Sequence, residues 1–332
     1  MAVLSFRSMS MPLVLLGGRG AGKRRDSSVE KPADYEEGGL GDKYRLAEVK
    51  IGGRALGEWI LDAYTAPRDV AGAPAFNPIY IAGPAQLHAR FFSSERGPWN
   101  GSAVLPIDTD GRLLDNLLAV GRTLLREDPH ALTLLAAGDI LPAKEDVEGL
   151  VSLLGAHRQT ADIVYPIVTA EAMRSIGIGK RVYQGFDRKG QQVPYVFGQV
   201  YGIRPSQLRW DFIAAGARAA YARRAKGWAQ QLGKPAIYGA ALSLMLKPRN
   251  FASVFAIPQA LEYKGRVKEG TISFDEAETA VRRIALYRDP GRHGVRRVVI
   301  ELTPWASLAA DIDTLTEQTA TEYRLLSRGE KA

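Results

Sequence analysis

The chain reads as an α/β protein built on a mostly parallel sheet with helices on both faces. Short, mostly apolar runs recur at Met11 to Leu16, Ala131 to Ala137 and Val298 to Leu302. Such runs are expected of strands buried on both sides. Segments with helical spacing alternate with them, which is the pattern of a doubly covered sheet. Glycine-bearing turns follow several strands, at Gly17–Arg24, Gly83-Pro84 and Gly138-Asp139. Carboxyl ends of strands are where sheets of this kind hold ligands.

In order, Met11 to Leu16 is the first core strand. It feeds a loop with four glycines and three cations, Gly17, Gly18, Arg19, Gly20, Gly22, Lys23 and Arg24. Glycines let backbone N–H groups approach an anion, and the cations add charge there. The polar stretch from Asp26 to Gly41 has no helical pattern. A short strand and turn, Val49 to Arg54, precede a helix from Ala55 to Tyr64 with Leu56, Trp59, Ile60 and Ala63 on one face. Pro78 to Ala82 is a buried strand, and Ile107 to Arg112 is a polar turn. Leu113 to Arg126 is an amphipathic helix, followed by the strand Ala131 to Ala137, a helix from Lys144 to His157 and a strand from Asp162.

The second half changes character. Strands are expected at Val182-Tyr183 and from Tyr195 to Ile203. Helices are expected from Ser206 to Leu232, Ile237 to Leu246 and Asp275 to Tyr287. After the strand Val298 to Leu302, Asp311-Ile312-Asp313-Thr314 opens a last helix. The organisation expected is an N-terminal extension over 1–10 and one domain over 11–330, with a helical insertion at about 204–297.

Composition bounds the chemistry. The 332 residues are 46% apolar and 24% charged, with a net charge of +8. That balance suits an anionic ligand without choosing among nucleotide, nucleic acid and acidic lipid. There is no cysteine, which excludes disulfides and thiolate chemistry, and the four histidines show no zinc spacing. The apolar start is too short for a signal peptide, and no stretch is long enough to span a membrane. A cytoplasmic protein is expected.

Gly17 to Lys23 has the spacing of a P-loop until its last position. There Arg24 replaces the serine or threonine that holds magnesium. A P-loop also opens directly into a helix, which Lys31-Pro32 and the following glycines oppose. Asp139, just past a buried strand, is placed either to hold magnesium or to cap the next helix. Asp311 and Asp313 can share a metal, though Asp313-Thr314 is also a common cap pattern. Asp108-Thr109-Asp110 mimics the Asp-x-Asp of sugar-nucleotide glycosyltransferases, with a plain turn the commoner reading. The basic helix at 206–232 carries Trp210, Phe212, Tyr221 and Trp228 as a core stripe rather than a stacking platform, so nucleic acid is not expected as a partner.

The order of these pieces resembles the NTP-transferase family with a GT-A-type, three-layer α/β/α Rossmann-like fold. That family contains molybdenum-cofactor guanylyl- and cytidylyltransferases and sugar-phosphate nucleotidyltransferases, and the likeness is greatest to its MobA-like subgroup. The residues that carry it are the glycine-rich basic loop, Lys43 before a Gly-Gly-Arg turn, Asp115-Asn116-Leu117, Gly138-Asp139-Ile140-x-Pro142 and the late Asp311-Ile312-Asp313-Thr314. The resemblance implies a nucleotide held by Leu16, Gly17, Gly18, Arg19, Gly20, Lys23, Arg24, Gly83 and Gly138. It implies Lys43 and Asp139 as catalytic residues, and Mg2+ on Asp139 with Asp311 or Asp313. Gly198 and Tyr201 fall where the family lines its acceptor pocket. In the family's usual loop an arginine stands where this chain has Gly22.

The reaction implied is magnesium-dependent transfer of a nucleoside monophosphate from an NTP to a phosphorylated small molecule, with release of pyrophosphate. A GT-A glycosyltransferase, a P-loop-like NTPase and a non-catalytic nucleotide-binding protein are the alternatives. The apolar run at 236–246 beside a basic helix leaves a homodimer contact or a peripheral contact with acidic lipid open.

Overall fold

The computed structural model describes residues 10–17, 43–69, 71–92, 98–109, 113–177, 180–210, 212–213, 251–287, 297–312, 318–319 and 321. The loop residues Gly18, Arg19, Gly20, Lys23 and Arg24, the run 236–246 and Asp313 lie outside the described residues.

The strands are β1 (Met11–Leu16), β4 (Phe76–Gly83), β5 (Val104–Asp108), β6 (Thr133–Ala137), β7 (Ile163–Thr169), β8 (Tyr183–Phe186), β9 (Gln192–Phe197), β10 (Val200–Ile203) and β11 (Val298–Thr303). They form one nine-stranded sheet. A small ribbon pairs β2 (Lys50–Ile51) with β3 (Arg54–Ala55). The helices are α1 (Arg45–Glu48), α2 (Leu56–Thr65), α3 (Ala85–His88), α4 (Leu113–Glu127), α5 (Lys144–His157), α6 (Ala170–Ser175), α7 (Phe251–Glu269) and α8 (Phe274–Ala285). The hydrogen-bonded path is β5-β4-β1-β6-β10-β7-β9-β8, with β11 also on β7. The pairs among β5, β4, β1 and β6, and β11 with β7, are parallel.

Alternation assigns the two faces. Leu13, Leu15, Ile79, Ile81, Leu134 and Ala136 point to one core, shared with Ile60 and Tyr64 of α2 and Leu150 and Leu154 of α5. Val14, Tyr80, Ala82 and Leu135 point to the other, shared with Val120 and Leu124 of α4 and Phe274 of α8. Each fully buried leucine or isoleucine is worth roughly 2 kcal/mol relative to exposure. The expected sheet with helices on both faces is therefore present.

The register around β7 carries the most information for the site. β11 pairs with β7 from Ile163 to Val168. β10 pairs with its first half and β9 with its second, both antiparallel. A strand has two edges, so β9 and β10 share the edge that β11 does not use. They are two halves of one strand, offset at Gly198–Gln199. On the far side of that strand, β10 pairs with β6 and β9 pairs with β8. β8 thus occupies the lane that β6 vacates at its carboxyl end. Gly198 makes the offset possible, because a Cβ there would lie 2.5 Å from the Pro166 carbonyl.

Some expectations change. Residues 104–108 form edge strand β5 where a polar turn from Ile107 was expected; Pro106 and three exposed positions hide the strand pattern. Ser206 does not open a long helix: Pro205–Gln207 is a 3-10 turn and Leu208 bridges to Leu286, with helix reached at Trp210. α7, with Pro258 inside it, was not expected. The expected strand from Tyr195 to Ile203 is the offset β9–β10 strand.

Candidate functional site

The carboxyl ends of β1, β4 and β6 converge. Gly17 N–H donates to Ala82 O at 2.8 Å, and Gly138 N–H donates to Leu16 O at 3.1 Å. The approach leaves no room for side chains: a Cβ at Gly83 would lie 2.4 Å from Gly17 O, and one at Gly138 would lie 2.8 Å from Leu16 O. Leu46 of α1 closes over Gly17 and Gly138. α1 follows Lys43 after Tyr44, so the exposed Lys43 is carried to the same end of the sheet. Leu16, Gly17, Gly83 and Gly138 are therefore brought together, under the α1 segment that Lys43 leads into.

Asp139 and Asp311 also meet. Ile140 pairs with Asp311 in an antiparallel bridge, and Ile312 N–H donates to Asp139 O at 2.7 Å. The segment after β11 is thereby laid across the end of β6. The carboxylate of Asp311 is paired with the ammonium of Lys180. Lys180 was missed by sequence reasoning, and no local pattern marks it.

Two carboxylates at one strand end fit a hard cation. Magnesium takes oxygen ligands and is often held by one or two carboxylates with substrate phosphates. No group of three or more metal-binding side chains exists among the described residues. Any ion here would therefore need oxygen donors beyond these two side chains. The Lys180–Asp311 pair shows that the position already accommodates a positive charge.

Gly198 lies beside this centre, whereas Tyr201 lies further back along the sheet. Ala137 N–H donates to Gln199 O at 3.1 Å, and Gln199 N–H donates to Leu308 O at 2.8 Å. The offset in the β9–β10 strand is thus tied both to the end of β6 and to the segment that delivers Asp311. Tyr201 sits opposite Leu135 on β6 and stacks on Tyr165 of β7, with ring centroids 4.6 Å apart.

Other candidates resolve differently. Asp108 ends β5, and its Oδ1 accepts from Ala85 N–H at 2.8 Å. Asp110 lies outside the described residues. Trp210 packs on Gly121 of α4 and donates through its indole to Pro205 O at 3.0 Å, which is a core role.

His88 was not singled out. It ends α3, is fully buried, and packs against Gly17 and Gly83. Both ring nitrogens lack a hydrogen-bond partner. Burial, with Arg90 nearby, lowers its pKa to about 4, so the ring is neutral. A lone histidine after a Gly-Pro turn carries no sequence signal that separates this position from a surface one.

A cavity of about 580 Å³ lies on the α2–α5 side of the 140–142 segment, lined by Trp59, Asp62, Leu141, Lys144, Asp146 and Ser307. Its acids outnumber its cations, and Asp146 is engaged by the Ser307 hydroxyl. It is a poor polyphosphate site.

No protein-family model matches the chain, and no curated protein sequence does. A solved structure described as a hypothetical transferase from Thermus thermophilus is similar at a TM-score of 0.53 and 21% identity, over 93% of this chain and 99% of that one. A CMP:2-keto-3-deoxy-manno-octonic acid synthetase complexed with CTP gives 0.46 and 9%, over 96% and 99% of the two chains. A 4-diphosphocytidyl-2C-methyl-D-erythritol synthase from Anaerococcus prevotii gives 0.44 and 11%, over 96% and 100%. The Thermus likeness shows a shared fold, the α/β architecture of GT-A type expected from the sequence.

Proposed function

We propose that the chain is a nucleotidyltransferase that moves a nucleoside monophosphate from an NTP to a phosphorylated small molecule. The observation that carries this reading is the convergence of three strand ends, the Lys43 segment and the Asp139–Asp311 pair at the carboxyl end of the parallel strands. The finer assignment to MobA-like NTP transferases rests on the resemblance of the loop and of Gly138-Asp139-Ile140-x-Pro142.

In the proposed reaction an oxygen of the acceptor phosphate attacks the α-phosphorus of the NTP. The bond from that phosphorus to the bridging oxygen of the β-phosphate breaks, and pyrophosphate leaves with the electron pair. The nucleophile is already anionic, so no general base is required. The chain's contribution is positioning and charge neutralisation. Gly17, Gly83 and Gly138 give close backbone approach, and the basic loop 18–24 supplies further donors. Lys43 and Lys180 hold positive charge at the strand ends, where charge develops on the departing pyrophosphate. Asp139 and Asp311, with Asp313, are the residues that would hold magnesium, which when bound supplies charge neutralisation at the phosphate oxygens.

The test is pyrophosphate release across a panel of NTPs and phosphorylated acceptors, with magnesium and with a chelator. Asp139→Asn is expected to lower turnover by at least about a hundredfold, while leaving the denaturation midpoint close to the parent's. Undiminished turnover in that variant would remove Asp139 from the mechanism. No turnover by the parent on any pair would remove the reaction itself.

A further inference from the structure

Lys180 and Asp311 come from two segments that are fixed separately. On one side α6 follows β7, and its N-cap Thr169 accepts from Ala172 N–H at 3.2 Å. Beyond α6 the chain turns at Gly177, whose φ of 71° is a left-handed value that favours glycine. Lys180 and Arg181 stand between that turn and β8. On the other side β11 leads through the 3-10 turn Ala306–Leu308 to Asp311. Asp311 is held there by its bridge to Ile140, and Ile312 N–H is held by Asp139 O.

One small apolar cluster joins the two segments. Met173 of α6 shares it with Ala306, Ala309 and Ala310, and Ala172 and Ile176 pack at its rim. The end of α6 is thus packed on the stretch that carries Asp311. The side chains of Lys180 and Asp311 are only 20% and 14% exposed. Charges so placed are screened less than charges on an open surface. Arg181, the neighbouring cation, goes elsewhere: its guanidinium lies over the Tyr183 ring, 5.2 Å from the centroid. The chain therefore sends one of two adjacent cations to the carboxylate and the other to a ring.

This pairing bears on the metal that Asp139 and Asp311 would hold. An ammonium only donates hydrogen bonds, so Lys180 adds no oxygen ligand to the centre. It also cancels one of the two negative charges that would attract a divalent cation. Two cations at contact distance on one carboxylate repel each other strongly. Lys180 and a divalent cation therefore compete for Asp311.

We infer that Lys180 is the resident counter-ion of the Asp139–Asp311 centre, and that Asp311 takes a divalent cation only when Lys180 has left it. An NTP resolves the competition. Its anionic phosphate oxygens offer Lys180 a new partner and offer the metal the further oxygen ligands that two side chains do not supply. The centre is thus arranged to receive metal together with nucleotide and to hold metal alone poorly. This inference rests on the nucleotidyltransferase reading for the use of the metal, but the exchange itself is measured without turnover.

The experiment titrates the full chain with Mn2+ alone, a cation that also suits carboxylate ligands, and follows loss of the free-ion electron paramagnetic resonance signal. Lys180→Met is expected to bind Mn2+ at least about tenfold more tightly than the parent. Lys180→Arg keeps the charge and is expected to stay within about threefold of the parent. So is Arg181→Met, which removes a charge that is not on Asp311. Adding Asp311→Asn to Lys180→Met is expected to remove the gain. If Lys180→Met does not fold, Lys180→Gln replaces it, with the same gain expected. No gain in the Met or Gln variant, an equal gain in Arg181→Met, or a gain that survives Asp311→Asn each overturns the exchange. Pyrophosphate release is assayed separately in the parent. Turnover without the gain removes the exchange alone, and the gain without turnover removes the reaction alone.

Discussion

Asp162 is a fully buried carboxylate held between two arginines. Its Oδ1 accepts from Arg204 Nε at 3.0 Å and its Oδ2 from Arg297 Nε at 2.6 Å. Arg204 also donates to the carbonyls of Arg158, Ala161 and His130, and Arg297 donates to Tyr287 O and Gln207 Oε1. These bonds join the start of β7, the end of β10 and the start of β11. Removing one partner of a buried ionic group leaves uncompensated charge, so Asp162→Asn is expected to cost about 3–5 kcal/mol. Urea denaturation measures this, and a loss below about 1 kcal/mol would mean that the carbonyls alone satisfy both arginines. Residue chemistry of this kind was not readable beforehand: Asp162, Arg204 and Arg297 are far apart in the chain and look like ordinary surface charges. The place of Asp139 just past the end of β6 was readable, because a carboxylate after an apolar strand is conspicuous. Lys180 was not, because the register that brings it to Asp311 is tertiary.

Helix α8 shows how one element is fixed from its ends. Ser273 Oγ accepts from Glu276 N–H, and the Glu276 carboxylate accepts from Ser273 N–H at 2.9 Å, closing a capping box. The same carboxylate pairs with Arg266 of α7 at 2.7 Å. Ser273→Ala is therefore expected to cost about 1 kcal/mol, read as a lowered urea midpoint at unchanged slope. An unchanged midpoint would show that packing of Phe274 fixes the helix start without the cap. Elements with one strong period were readable: the apolar β1, β6 and β11, and the amphipathic α2 and α4. β5 was missed because an edge strand with a proline has little alternation to detect. α7 was missed because its apolar residues form no stripe and Pro258 interrupts them. The basic loop was read as a ligand loop from composition alone, since flexible glycines and cations together are uncommon after a buried strand.

Across the molecule, two buried groups on different elements give stability opposing dependences on pH. His88 protonates near its usual 6.5 when unfolded and near 4 when folded. Between those values the unfolded chain binds more protons, so its contribution is complete above 6.5 and is lost as pH falls toward 4. Glu278 is the reverse: burial raises it from 4.5 to about 7, although Ile300 N–H and Arg188 favour the carboxylate. Its contribution is complete below 4.5 and is lost as pH rises through 7. Relative to the parent, His88→Asn is expected to make stability fall more steeply from pH 4.5 to 6.5. Glu278→Gln is expected to make it rise more steeply over the same range. Urea midpoints at several pH values measure both slopes, and parallel curves for parent and variants would contradict the assignment. The fold class was readable at this level, because alternating apolar runs and helical spacings report a covered sheet directly. The lane exchange at Gly198 was not, since a strand that changes neighbours part-way along leaves the same apolar pattern as one that does not. That exchange sets apart the outer part of the hairpin, residues 183–194. Among the described strands β8 pairs in the sheet with β9 alone, so a longer or differently furnished hairpin extends an outer rim and leaves the inner ladders unbroken. Evolution, or an engineer, can rewrite that hairpin as a cassette, changing what the molecule receives while the strand ends that would grip the nucleotide stay as they are.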